Sequence, residues 1–186
     1  MSDEPHFAAL CRRLRASDRE AFAEVFRALR EPLLRYVARF TGDAPLAHDL
    51  VQDVFVMLWE MRTTLDPEQT LRGLLYRMAR NRALNHKRAR RTRQRKHDEI
   101  RHMAEPTVSP AQRLDADRLR VRLGRWLGDL PERQREALSL TRFEGLSHRE
   151  AAEAMGVAPR TVNNHIVRAL GTLQARLDAF EDETPA

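Results

Sequence analysis

Apolar side chains recur at every third or fourth position along most of the chain, which is the period of an amphipathic helix. In residues 45–62, for example, Leu46, Leu50, Val54 and Leu58 fall on one helical face. Residues 1–96 contain no apolar run typical of a strand. The pattern predicts an all-α protein, with helices over residues 6–15, 18–29, 32–40, 45–62, 70–91, 112–127, from 130 to beyond 140, 148–155 and 159–180.

Two Ser-x-x-Glu patterns mark helix starts, because the serine side chain and the glutamate can cap each other's backbone N–H groups. Ser17 with Glu20 predicts a helix from residue 18, and Ser147 with Glu150 predicts one from residue 148. Gly156 then lies at a sharp turn, where a positive φ is often required.

Residues 145–170 predict a helix-turn-helix, with Pro159 at the first position of its second helix. Val162, Ile166 and Leu170 give that helix an inner face. Its outward side chains are Arg160, Asn163, Asn164, His165 and Arg168, and Thr161 lies beside them near the start of the helix. Arginine pairs with guanine and asparagine with adenine in a major groove, so the pattern favours reading of DNA sequence. The alternative is an ordinary helical bundle with a solvated polar face.

The charge of the chain agrees with a nucleic-acid partner. Its 186 residues carry a formal net charge of +6 and a pI near 10.5, which suits a polyanion. Cys11 is the single cysteine, so an internal disulfide is excluded and a reducing compartment is indicated. The N-terminus lacks a signal-peptide pattern, and the longest strongly apolar run, 54–59, is too short to span a bilayer. We expect a soluble cytoplasmic protein.

No motif in the sequence indicates catalysis. The seven histidines lack zinc-site spacing, and there is no glycine-rich phosphate loop, nucleophile elbow or Ser–His–Asp order. We therefore predict no enzymatic activity, no metal and no cofactor.

A change of composition divides the chain. Seven of the ten residues in 87–96 are basic, and the following segment loses its helical period around Pro106 and Pro110. We predict a first helical domain over residues 1–96, a flexible linker over 97–111 and a second helical domain over 112–186.

Three segments together resemble bacterial RNA polymerase sigma factors. They are DLVQDVFVMLWE (49–60), LRGLLYRMARNRALNHKRAR (71–90) and LPERQREALSLTRFEGLSHREAAEAMGV (130–157). The short separation of the two domains is similar to the small extracytoplasmic-function (ECF) group, which keeps only regions 2 and 4. The resemblance implies a subunit that binds core RNA polymerase and directs it to −10 and −35 promoter elements. It also implies contacts with the clamp coiled coil of the largest subunit and with the flap, and an anti-sigma factor as a further partner.

The resemblance assigns the −10 element to residues 71–90 as a separated single strand. The residues implied are Tyr76, Arg77, Arg80, Asn81, Asn85, Lys87 and Arg88. The asparagines can read an exposed base edge, while the basic residues neutralise phosphate. Tyr76 can stack on a base or pack inside the domain, and both interpretations stay open. Gly73 is expected to loosen the start of this helix.

The remaining implied sites are the upstream reader and the polymerase-binding face. The −35 element is assigned to the outward residues of the helix-turn-helix named above, with Thr161 suited to phosphate and His165 contributing less charge than a basic residue. Asp49, Gln52 and Asp53 lie outward of the apolar stripe and are assigned to the clamp coiled coil. A solvated helix face is the alternative for these three.

Two other functional classes compete with this interpretation. A response-regulator type of transcription factor carries a similar helix-turn-helix, but it requires a βα receiver domain. A helical nucleic-acid-binding protein without a polymerase role would use the basic run 87–96 and would not need the acidic face at 49–53.

Overall fold

The computed structural model describes residues 4–66, 69–97 and 115–182. Every regular element in these ranges is helical, which confirms the all-α prediction. The predicted linker, apart from residue 97, lies outside the described residues. The elements are α1 (Glu4–Arg15), α2 (Arg19–Thr41), α3 (Ala44–Glu60), a 3₁₀ turn (Arg62–Thr64), α4 (Leu71–His97), α5 (Asp115–Gly128), α6 (Glu132–Leu138), a π turn (Ser139–Phe143), α7 (His148–Met155) and α8 (Pro159–Asp182).

The N-terminal helices α1–α4 pack around an apolar centre. Helix α2 packs against α1, α3 and α4, and its buried side chains include Val25, Leu33 and Val37. Cys11 is also buried, and burial raises the pKa of its thiol, as expected for a structural cysteine. Trp59 lies at the edge of this centre, where its ring packs at a steep angle against Phe22.

Residues 19–41 form one helix, so the prediction of two helices separated near Pro32 was wrong. A proline inside a helix removes one backbone hydrogen bond and costs about 3 kcal/mol. Here the apolar stripe continues through it, with Val25 and Leu29 buried before Pro32 and Leu33 and Val37 buried after it. Burying each large apolar side chain stabilises the helix by about 1.5–3 kcal/mol, and together these contributions outweigh the proline penalty.

The start of α2 also differs from the predicted capping box. Ser17 adopts a left-handed φ of 61° and therefore cannot take the extended N-cap conformation. Asp18 caps the helix instead, and its carboxylate accepts from the backbone N–H groups of Glu20 at 2.8 Å and Ala21 at 3.2 Å. The Ser17 hydroxyl accepts a hydrogen bond from Arg62 Nε at 2.9 Å.

The second predicted capping box is confirmed in the C-terminal helices α5–α8. Ser147 and Glu150 each accept from the other's backbone N–H, and Gly156 ends α7 with a left-handed φ of 66°. Helix α8 begins at Pro159 as predicted.

The inner face of α8 was only partly predicted. Val162 and Ile166 are buried, but Leu170 is 42% exposed and Ala169 is buried in its place. A helix has 3.6 residues per turn, so a strict spacing of four rotates off the packed face by the third position.

The N-terminal and C-terminal helices contact each other directly. Helix α4 packs along α7, whose buried residues include Ala151 and Ala154. Small side chains allow two helices to approach closely. The buried apolar residues of both sets of helices consequently form one continuous cluster.

Candidate nucleic-acid interface

Helix α8 presents a polar face to the surface. Its outward residues divide by exposure: Arg160, Asn163, Asn164 and Arg168 are exposed, whereas Thr161 and His165 are half-buried. Because Val162, Ile166 and Ala169 hold the opposite face in the core, this polar face has a fixed orientation. The structure thus brings all six predicted residues onto one helix, with four of them exposed.

The predicted −10 residues divide between two faces of α4. Asn81, Asn85 and Arg88 are exposed, and Arg77 is half-buried one turn earlier. Residues three or four apart lie together on a helix surface, so these four form one stripe, which we call the exposed stripe. Arg77 donates to the Gln69 side chain at 3.4 Å.

The other predicted −10 residues lie on a covered side of α4. Tyr76 is fully buried, with its ring centroid 5.2 Å from that of Tyr36. The Lys87 ammonium lies 4.3 Å from the centre of the Phe40 ring. A base cannot stack on Tyr76 in this arrangement, because both ring faces are enclosed by protein. The packing interpretation of Tyr76 is the one that agrees with the structure.

Arg80 also belongs to this covered side. Its guanidinium makes a two-point contact with Glu136 of α6, one bond from Nε and one from Nη2, the latter at 3.3 Å. The arginine side chain is 12% exposed and the glutamate side chain 2%. Tyr36 also donates to Glu136, at 3.3 Å. Burial, together with this carboxylate, raises the pKa of the Tyr36 phenol well above its ordinary value, against the opposing effect of Arg80.

A second buried carboxylate faces α4 from the turn after the π element. Glu144 accepts from the Tyr76 hydroxyl at 3.3 Å and forms an ion pair with Arg39 at 3.2 Å. Burial is the main cause that raises the pKa of Tyr76, and the Glu144 charge adds to it. Arg72 donates to the Glu144 backbone carbonyl at 2.9 Å and lies 3.6 Å from the Glu150 carboxylate.

Helix α3 presents the polar face that the sequence predicts. Asp49, Gln52 and Asp53 are all exposed, outside the buried stripe of Leu50, Val54 and Leu58. Asp53 is paired with Arg82 of α4 at 3.6 Å.

An apolar groove that sequence reasoning missed adjoins this face. It has a volume of about 800 Å³, and its lining residues include Phe22, Phe26, Phe55, Val56 and Trp59, together with Gln52 of the polar face. Phe26 is 38% exposed and Val56 50% exposed, although both are large apolar side chains. Exposed apolar surface of this kind is typical of a protein-binding site. The spacing of Phe22 and Phe26, four residues apart and outside the main stripe, is the signal that could have indicated it.

Within the described ranges, no helix is both long and apolar enough to cross a membrane. The same part of the chain contains no group of three or more His, Cys, Asp or Glu side chains arranged to hold a metal ion.

Two family models match the chain. Residues 25–93 match "Sigma-70 region 2" and residues 120–173 match "Sigma-70, region 4". The RNA polymerase sigma-H factor of Pseudomonas aeruginosa is 30% identical over 169 residues, covering 86% of this chain and 88% of that protein. The ECF RNA polymerase sigma factor RpoE of Cereibacter sphaeroides is 28% identical, covering 95% of this chain and 97% of that protein.

The fold is also similar to that of a solved structure. The sigma factor RpoE from Bartonella quintana, crystallised with the anti-sigma factor NepR, superimposes with a TM-score of 0.63 at 25% identity. The match covers 84% of this chain and 96% of that one. The chain belongs to the ECF group of bacterial RNA polymerase sigma factors. Regions 2 and 4 correspond to the stretches that contain α4 and the helix-turn-helix.

Proposed function

We propose that this sigma factor binds core RNA polymerase through α3 and directs initiation at promoters whose −35 element is read by α8 and whose −10 element is read by α4. The observation that carries the proposal is the pair of exposed Arg/Asn faces, one in each family region. A response-regulator function is not favoured, because residues 25–93 match region 2 and no described element there is a strand.

The upstream contact follows from the orientation of α8. Arg160 and Arg168 are suited to guanine edges, and Asn163 and Asn164 to adenine edges, in a major groove about as wide as a helix. Thr161 is suited to phosphate because it is half-buried near the start of the helix, and His165 has the same partial exposure. Base contacts of this kind provide sequence specificity.

The downstream contact uses the exposed stripe of α4. Asn81 and Asn85 read unpaired base edges, since an amide both donates and accepts. Arg77 and Arg88 follow the backbone on the same stripe, and Lys87 and Arg80 join them when the covered side becomes accessible. We assign Tyr76 to packing in the arrangement described here.

The polymerase contact combines charge with apolar surface. Asp49, Gln52 and Asp53 complement basic residues of the clamp coiled coil, and the adjoining groove receives apolar side chains of the same partner helix. A polar rim beside an apolar centre is the usual composition of a protein interface.

The remaining assignments rest on the same function. We propose two domains, one before and one after the segment 97–111, with the flap of the polymerase contacting the second. Catalysis belongs to the polymerase, and the protein acts in the cytoplasm, where polymerase and promoters are found. The complex of Bartonella quintana RpoE with NepR supports an anti-sigma factor as a regulatory partner.

In vitro transcription with core polymerase and a library of genomic fragments tests the proposal. The protein should stimulate transcripts from a small set of templates that share two elements at a fixed spacing. The double variant Asp49→Ala/Gln52→Ala should reduce polymerase association, whereas Gln174→Ala, an exposed change on α8, should not. Absence of promoter-dependent stimulation across the library would contradict the proposal.

A further inference from the structure

Four glutamates of the C-terminal part of the protein, three in helices and one in the turn before α7, contact the N-terminal helices. They are Glu136, Glu144, Glu150 and Glu153, which we call the carboxylate set. The first three are 4%, 7% and 4% exposed, in a chain that carries a net positive charge. Charged groups are rarely buried unless they are paired. The partners of these carboxylates therefore indicate which groups the carboxylate set binds.

The first partner is a predicted DNA-binding residue. Arg80 meets Glu136 through two guanidinium nitrogens, the geometry by which arginine also binds a phosphate. Arg133 of the same C-terminal helices approaches Glu136 at 3.5 Å. Arg80 is consequently occupied by a carboxylate from the other region of the protein.

The second partner is Arg72, at the start of the same helix. Its guanidinium donates to the Glu144 backbone carbonyl at 2.9 Å and lies 3.6 Å from the Glu150 carboxylate, with its side chain 16% exposed. Glu150 also completes the capping box of α7. The contact thus joins the start of α7 in region 4 to the start of α4 in region 2.

The third contact is a helix cap supplied from the other region. Glu153 Oε2 accepts from the Thr70 backbone N–H at 3.0 Å and from its hydroxyl at 2.7 Å, at the N-terminus of α4. A carboxylate is stabilised at this end of a helix by the helix dipole.

Gly73 makes the close approach of α7 possible. A Cβ at this position would lie 2.9 Å from Glu153 Oε2 and 3.0 Å from the Glu150 carbonyl oxygen. The expectation that Gly73 merely loosens the helix start is replaced by a packing role, because the glycine is buried beneath α7.

We propose that the carboxylate set takes the place of DNA phosphates on α4, so that region 4 and the promoter strand compete for Arg72 and Arg80. In this closed arrangement the free sigma factor withholds Arg80, a predicted −10 residue, and Arg72 at the start of the same helix, and separation of the two regions releases both. The inference rests on the proposed function and adds a regulatory step to the same site.

Competition follows from charge and from space. A carboxylate and a phosphate held at the same enclosed guanidinium repel each other, because like charges interact strongly in a low-dielectric site. Arg80 and Arg72 are also too enclosed for a nucleotide to approach while α6 and α7 are in place. Buried ion pairs contribute little net stability, because desolvation offsets the Coulomb attraction. The apolar contacts between the two regions therefore provide most of the stability of the closed arrangement, and a partner that binds either region must offset them to release it.

The test uses the full-length protein and three variants. Glu136→Gln removes the charge opposite Arg80, and Glu153→Ala removes the cap on α4. Asp129→Asn is the matched control, because its partner Arg176, at 3.0 Å, belongs to the same C-terminal helices. Circular dichroism checks that each variant retains its helices, and the two test variants are independent should one fail to fold.

Two measurements are made on each protein. Small-angle X-ray scattering gives the radius of gyration, which should increase for Glu136→Gln and Glu153→Ala and stay unchanged for Asp129→Asn. Fluorescence anisotropy measures the affinity of each protein for a fluorescein-labelled, mixed-sequence single-stranded 12-mer DNA over a range of salt concentrations. Each phosphate neutralised adds about 0.7 to the slope of log affinity against log salt, so release of both arginines should add up to about 1.4.

Unchanged scattering and an unchanged salt slope in both folded variants would overturn the inference. An increased radius without a steeper slope would also overturn it, because the freed arginines would then not be used by DNA. In vitro transcription distinguishes this failure from failure of the proposed function. Variants that direct promoter-dependent initiation but remain closed would contradict the competition alone, whereas opening without any promoter-dependent initiation would contradict the function alone.

Discussion

The two helices that we propose to read DNA, α4 and α8, are presented in opposite ways. On α8, the residues with exposed side chains include both arginines and both asparagines predicted for the upstream element. On α4, the asparagines are exposed, but Tyr76 and Arg80 lie under the C-terminal helices. The difference arises from packing: α8 buries one face, whereas α4 is packed against α1, α2 and α3 as well as α7.

Under the proposed function, this difference separates the groups that read bases from the groups that bind phosphate on α4. The exposed stripe keeps the amides available, while two strong cations are neutralised within the protein. Non-specific affinity for DNA depends mainly on phosphate contacts, so covering the cations reduces it without altering the reading groups. On α8 no such separation exists, because Arg160 and Arg168 stand beside the asparagines.

The largest expected effect comes from breaking the buried pair at α4. Arg80→Ala leaves the Glu136 carboxylate buried without its main partner, which costs about 3–5 kcal/mol in comparable pairs. Because Arg133 and Tyr36 still contact Glu136, we expect a loss near the lower end, about 3 kcal/mol, in the free energy of urea unfolding.

Arg77→Ala, on the exposed stripe of the same helix, is the control and should lose no more than about 0.5 kcal/mol. Equal losses for the two variants would show that the covered and exposed sides of α4 do not differ. Arg80→Ala should also steepen the salt dependence of DNA affinity less than Glu136→Gln does. The reason is that Arg80→Ala removes one of the two cations that opening would release.

The next largest effect is expected for the exposed −35 residues of α8. Arg168→Ala should weaken binding of polymerase holoenzyme to promoters with an upstream element by about 1–3 kcal/mol, the usual contribution of a base contact. Polymerase association should be unaffected. The change is measured by gel shift on a promoter identified in the transcription library, with Gln174→Ala as a control further along α8. Loss of polymerase association instead would mean that the roles of the two regions are assigned wrongly.

A matched pair of glycines tests the close approach of α7 to α4. Gly73→Ala introduces a Cβ with contacts of 3.0 Å or less to Thr70, Glu153 and Glu150, and overpacking of this kind costs about 1–3 kcal/mol. Gly171→Ala in α8 meets open space and should stabilise the protein by about 0.5–1 kcal/mol. Thermal unfolding of both variants measures the difference. Stabilisation by both would show that α7 does not press on Gly73.

Some structural features that depend only on neighbouring residues were predicted correctly from local signals in the sequence. The Ser147–Glu150 capping box and the turn at Gly156 were correct, because each involves residues within one helical turn. The break proposed at Pro32 was wrong, because long-range burial of Leu29 and Leu33 outweighs the local preference of proline. Ser17 was displaced as a cap by the adjacent Asp18, whose carboxylate reaches the same backbone donors.

The contacts between the two regions could not be predicted in the same way. Arg80 and Glu136 are 56 positions apart, and Tyr36 and Glu136 are 100 apart, so no periodic pattern connects them. Most exposed polar positions of α8 and the three of α3 were predicted, since they follow from helical periodicity, although Thr161 and His165 are half-buried. Burial of Tyr76 and Arg80 depends on a second region folding over the first, which periodicity within α4 does not encode.

The most direct measurement of the central claim uses the two tyrosines, Tyr36 and Tyr76, which are the only ones in the sequence. Both are buried where the two regions meet, and burial raises the pKa of each phenol, with Glu136 and Glu144 adding to the effect and Arg80 and Arg72 opposing it. Because the closed arrangement raises the pKa of both phenols, it is stabilised as long as the phenols are protonated. This contribution is fully present below the ordinary phenol pKa of about 10 and is lost as the pH rises beyond it.

Tyrosinate absorbance at about 295 nm therefore reports the closed arrangement. We expect the wild-type protein, with its helices intact by circular dichroism, to show almost no tyrosinate at a pH where a free phenol is half ionised, about pH 10. Glu153→Ala should ionise at lower pH than the wild type, because opening exposes the phenols, and the glutamates hydrogen-bonded to the two phenols, Glu136 and Glu144, are retained. Titration of the wild-type tyrosines near the ordinary value, with no difference between the two proteins, would contradict the account.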